Sequence, residues 1–162
     1  MKKNLLVALM LVMITISAHS QNKQNSSDYK TAIGVKFYPG AITLKHFIKE
    51  NAALEGLGYF YNRGFRVTGL YEFHFDIQSV TGLKWYVGPG AHLGFYNAKY
   101  NNDNNIKDGG VAIGLDGVIG LDYKINAAPI NLSLDFQPSF ELGNYNGYGG
   151  SFGGLSIRYV IK

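Results

Sequence analysis

The sequence predicts an all-β fold, an eight-stranded antiparallel up-and-down transmembrane β-barrel, and three observations carry that reading. From Thr31 almost to the last residue, apolar and polar side chains alternate with a period of two between Gly, Asn and Pro punctuation. One face of that alternation holds no Asp, Glu, Lys or Arg, whereas the other holds six basic and six acidic residues. A short apolar leader of the kind carried by exported chains precedes both.

The leader occupies residues 1–20. Lys2 and Lys3 form a positive start, Leu5 to Ile16 an apolar run, and Ala18-His19-Ser20 a small-residue cleavage site. The run is shorter than the roughly 20 apolar residues of a spanning helix, so a signal peptide is expected. Residues 21–30 read as a polar N-terminal tail, and residues 31–162 as one barrel domain. Within it, eight strands are expected at 31–38, 41–48, 52–62, 65–75, 83–96, 110–125, 130–141 and 152–161. Pro39-Gly40, Lys49-Glu50-Asn51, Arg63-Gly64 and Asn126 to Pro129 mark tight turns. Asp76 to Gly82 is a medium connection, and Asn97 to Gly109 and Leu142 to Ser151 are longer loops. Pro89 and Pro138 interrupt strand patterns on the apolar face, and a bulge is expected at Gly88-Pro89-Gly90.

The sixth and seventh segments show the two faces most clearly. Val111, Ile113, Leu115, Ile119 and Leu121 alternate with Ala112, Gly114, Asp116, Gly120 and Asp122, and Leu132, Leu134 and Phe136 alternate with Ser133, Asp135 and Gln137. The same parity puts Lys36, Lys45, Arg66, Lys84, Lys124 and Arg158 on one face with Glu55, Glu72, Asp116, Asp122, Asp135 and Glu141. A soluble barrel turns its apolar face inward, and a membrane barrel turns it to lipid. The charges balance, as enclosed ions must. Seven glycines share their face, which suits a crowded interior, and aromatics gather near strand ends. These features favour lipid outside and ions inside. Every backbone group in hydrocarbon needs an internal partner, so such strands must close into a barrel.

Other classes fall away on composition. The absence of Cys excludes disulfides, thiolate metal sites and a Cys nucleophile. Net charge is +4, but Lys2 and Lys3 lie in the leader, leaving 13 basic residues against 11 acidic, which is no nucleic-acid footprint. His74 and His92 take the polar parity with no carboxylate at ligand spacing, so hydrogen-bonded interior residues are expected and not a metal. His46 takes the apolar parity, while Ser133, Ser139 and Ser156 take the polar one, so no nucleophile and base meet. The loop from Asn101 to Asp108 is rich in oxygen ligands but lacks the Gly and final Glu of an EF-hand. The Gly-rich stretches open no helix and make no phosphate cradle. No cofactor is called for.

Three stretches carry a resemblance: Gly69-Leu70-Tyr71-Glu72-Phe73-His74, Gly82-Leu83-Lys84-Trp85-Tyr86 and the closing Gly154-Leu155-Ser156-Ile157-Arg158-Tyr159-Val160. With the leader, they make residues 31–162 resemble the small eight-stranded outer-membrane β-barrel proteins of Gram-negative bacteria, the OmpX/OmpA-like barrel group. The resemblance implies residence in the cell outer membrane, contact with its lipids, and insertion by an assembly machinery that reads the final amphipathic strand. A monomer is expected. Leu155, Ile157, Tyr159 and Ile161 supply that strand's apolar row, although the chain ends in Lys162 where many members end in an aromatic residue.

Counting hairpin registers places Lys45 opposite Glu55, Glu55 opposite Glu72, and Glu72 opposite Lys84, an interior Lys-Glu-Glu-Lys row. With Arg66, Asp122, Asp135 and Arg158 it forms an expected lumen ion network. The function expected is non-enzymatic, a structural or surface-interaction role with a side-chain-plugged lumen, since eight strands enclose little more than their own side chains. The alternatives are a lipid-modifying outer-membrane enzyme and a soluble periplasmic lipocalin-like binder.

Overall fold

A computed structural model describes residues 29–62, 64–96, 110–142 and 147–161. The predicted signal peptide, the tail up to residue 28, the Asn101–Asp108 loop and Lys162 lie outside the described residues. Ten strands follow one another: β1 (Thr31–Phe37), β2 (Ala41–Lys49), β3 (Ala52–Tyr61), β4 (Gly64–Asp76), β5 (Leu83–Tyr96), β6 (Gly110–Ile125), β7 (Ile130–Phe136), β8 (Pro138–Leu142), β9 (Gly147–Ser151) and β10 (Leu155–Val160). They make eight staves, because β7 and β8 are one stave broken at Gln137, and β9 and β10 another broken at Phe152–Gly154. All pairings are antiparallel. β1 meets β10, β10 meets β7, and β5 meets β6, which closes the sheet into a barrel. One end carries Tyr29, Ile161 and the β2–β3, β4–β5 and β6–β7 turns; the other, here the loop end, carries the β1–β2 turn and the strand ends at Tyr96, Gly110, Leu142 and Gly147.

The predicted strands lie close to the observed ones, except that β9 occupies half of what reads as the Leu142–Ser151 loop. Phe140 and Tyr148 explain its pairing with β8: their rings meet edge to face at 5.7 Å across the hairpin.

Two expected registers are corrected. Glu55 lies opposite Leu70, and Glu72 opposite Ala53, because Gly64 already pairs with Tyr61 and so lies in the ladder and not in the turn. Gly64 begins β4 instead, where a Cβ would collide with the Phe95 carbonyl of β5. The glycine serves close packing, and its φ of 148° is one that other residues rarely adopt. Lys84 lies opposite Asp76 and not Glu72, because the β4–β5 connection folds about Val80, with Ile77 N–H donating to the Leu83 carbonyl at 3.0 Å. The expected bulge at Gly88-Pro89-Gly90 is also absent. The β5–β6 register runs unbroken through it, while toward β4 the pairs at Tyr71 and Glu72 are missing and the register resumes unchanged. Proline, lacking an N–H, interrupts the ladder without inserting a residue. Register shifts fall instead between Phe47 and Lys49 and, beside Pro138, between Ser139 and Phe140.

Burial inverts the usual order. Leu134 is 58% exposed, Ile113 54% and Phe136 53%, whereas Lys45, Arg66 and Glu72 are 0% exposed. The apolar residues inside form two small groups. Tyr59, Leu57, Leu70, Tyr86, Val118 and Ala41 pack with the partly buried Phe152, and Tyr29, Ala32, Phe47 and Ala53 pack with Val160 near the terminal end.

Candidate functional site

The lumen is where chemistry-bearing side chains converge, and three connected groups of ions fill it. Toward the terminal end, Lys45 of β2 reaches Glu72 of β4 at 2.8 Å, Glu55 of β3 at 3.3 Å and Asp122 of β6 at 3.3 Å. Arg158 of β10 crosses the lumen to pair with Glu55 and donates to Thr43 at 3.1 Å, Asn131 at 3.0 Å and Ser133 at 2.8 Å. Thr43 in turn donates to Glu55. His74 Nε2 lies 2.9 Å from Glu72, its ring stacked on Tyr86 at 5.0 Å. Tyr29 closes this end and donates to Asp122 at 3.2 Å. Burial pushes its phenol well above the ordinary range, and the Asp122 carboxylate pushes the same way.

At mid-lumen, Lys36 of β1 pairs with Asp135 of β7 at 2.6 Å, and Tyr86 donates to the other Asp135 oxygen at 2.9 Å. Tyr59 donates to Gln137 at 2.8 Å. Toward the loop end, Arg66 pairs with Asp116 and lies 3.7 Å from Glu141. Phe152 turns inward at the break between β9 and β10, and its ring lies 3.8 Å from the Arg66 guanidinium carbon and 5.3 Å from the Tyr59 ring. Partnered charge of this kind is the condition for holding ions away from water.

Of the eight residues singled out in the sequence, the structure brings Lys45, Glu55, Glu72, Asp122 and Arg158 into one group. Arg66 and Asp135 lie in the other two groups, and Lys84 pairs with Asp76 at 3.1 Å near the terminal end. The straight Lys-Glu-Glu-Lys row is therefore replaced by a cluster centred on Lys45. Strand tilt brings Glu72 to Lys45 although neither lies opposite the other. Sequence reasoning placed Lys36, Asp116 and Glu141 on the right face without pairing them, and it missed both histidine contacts. His92 lies 2.8 Å from Asp116 and 3.0 Å from Glu141, residues 24 and 49 positions away. Face parity was their one signal; the partners depend on how the sheet closes.

Other candidates are placed as follows. His46 sits half-buried on the outer face, 2.8 Å from the Thr31 hydroxyl. Ser139 accepts from Arg66 at 2.8 Å, so it and Ser133 face guanidinium groups. Among the described residues, no group of three His, Asp or Glu side chains is arranged to hold a metal ion. The arrangement as a whole neutralises charge, ties staves together and fills space. No family model, curated protein or solved structure matches the chain.

Proposed function

We propose that the chain is a non-enzymatic outer-membrane β-barrel protein of the small eight-stranded, OmpX/OmpA-like group of Gram-negative bacteria. On this reading it is exported by its N-terminal leader, inserted by the outer-membrane assembly machinery, and acts as a monomer in a structural or surface-interaction role. The observation that carries the reading is the inverted barrel: large apolar side chains outside, partnered ions inside. Water would leave that outer wall exposed far beyond the few hundred Å² of contiguous apolar surface a soluble monomer tolerates, whereas hydrocarbon suits it. A lipocalin-like binder needs an apolar lumen, and this one is charged. A lipid-modifying hydrolase needs a serine beside a base, and the hydroxyls of Ser133 and Ser139 accept from arginines.

Fractionation is the test. The protein is expected to pellet with outer membranes, resist extraction by alkaline carbonate, and migrate differently on gels before and after boiling. Recovery in the soluble periplasmic fraction, with no heat-dependent migration, would remove the reading.

A further inference from the structure

His92 sits between two carboxylates, and each ring nitrogen faces one of them: Nδ1 lies 2.8 Å from Asp116 Oδ2, and Nε2 lies 3.0 Å from Glu141 Oε2. A neutral imidazole has one N–H and can satisfy only one such acceptor; donating to both requires the doubly protonated ring. Arg66 closes the circuit, pairing with Asp116 Oδ1 and lying 3.7 Å from Glu141 Oε1. Arg66, Asp116, His92 and Glu141 thus form a ring of alternating charge drawn from β4, β6, β5 and β8.

The groups facing this ring from neighbouring elements add no charge. The Gln137 amide lies 3.4 Å from Asp116, the Ser139 hydroxyl accepts from Arg66, the Tyr96 hydroxyl lies 3.5 Å from Glu141, and Phe152 covers the guanidinium. The ring is neutral only while His92 holds both protons. Gly114 keeps the imidazole seated, since a Cβ there would come within 2.6 Å of Nε2.

We infer that this ring is a proton-operated clasp on the loop end of the lumen. With both protons in place, His92 ties β5 to β6 and β8, and Arg66 adds β4. When the second proton leaves, one carboxylate faces a bare ring lone pair and the ring acquires a net negative charge, which loosens the staves at that end. The clasp contributes stability while the imidazolium persists, and the contribution is lost as pH rises through the point where the proton departs.

The test combines ring-nitrogen NMR of the barrel in micelles with urea unfolding at pH 6 and pH 9. At pH 6 both His92 nitrogens are expected to show the matched shifts of an imidazolium. Between pH 6 and pH 9 the folded-to-unfolded ratio is expected to fall roughly tenfold or more, the effect of leaving a buried acceptor without its donor. His92→Gln should unfold earlier at pH 6 and abolish most of that pH dependence. Unequal ring nitrogens at pH 6, the mark of a neutral tautomer, overturn the inference, as does an unchanged pH dependence in His92→Gln. Should that variant fail to fold, the wild-type titration decides alone: loss of the ring proton in step with the stability drop sustains the clasp, and separate transitions overturn it.

Discussion

Lys45 has no water to fall back on. Its side chain is fully enclosed, and Glu72, Glu55 and Asp122 surround its ammonium group. Lys45→Met is expected to cost about 3–5 kcal/mol, because it strands buried carboxylates without their shared cation. Combining it with Glu72→Gln should recover part of the loss, which a double-mutant cycle of urea unfolding in detergent would measure; strictly additive losses would show that the two side chains are uncoupled. Glycines give a second contrast at this scale. At Gly120 a Cβ would approach the Asp135 Cβ, the Leu134 carbonyl and the Tyr86 ring to 2.7 Å, so Gly120→Ala should destabilise by about 1–3 kcal/mol. At Gly56 nothing lies within 4 Å, and Gly56→Ala should change the unfolding free energy by no more than about 0.5 kcal/mol.

The staves were legible in the sequence wherever alternation was unbroken, as in β5 and β6, whose bounds coincide with those read from the pattern. Registers were less legible. Gly64 looks like a turn residue but is required by the Phe95 carbonyl beside it, a demand made by the neighbouring strand β5 and invisible locally. The ion network was half legible for the same reason. Parity alone puts Arg158 and Glu55 on one face, yet their pairing spans 103 residues and exists only because β10 closes on β1. The outer face also makes a prediction at this scale. Leu134 pairs with Leu121 and Leu155 and projects outward. On the proposed membrane reading, Leu134→Arg should cost about 2–4 kcal/mol in lipid vesicles if the position lies near the midplane. In a soluble barrel the same surface change would fall within about 0.5 kcal/mol, so a small effect in vesicles would count against lipid around this wall.

For the barrel as a whole, an even number of staves returns Tyr29 and Ile161 to one end. On the proposed reading that end is periplasmic, and the opposite end, where Tyr96, Gly110, Leu142 and Gly147 lie, faces outward. Protease added to intact cells should cut there or nowhere; a cut within Asp76–Gly82 would mean that the orientation is reversed.

The position of Arg158 has a consequence for how the barrel is made. The last stave brings the guanidinium that pairs with Glu55 and donates to Thr43, Asn131 and Ser133. Until it arrives, the earlier staves hold Glu55, Glu72 and Asp122 around Lys45 alone. A nascent sheet lacking β10 is therefore both open-edged and electrically unfinished, and long-range pairing of this kind is slow to form. Sealing the wall and balancing its interior happen in a single step, so chains truncated before Arg158 should stall during biogenesis with no stable partial barrel to rest in.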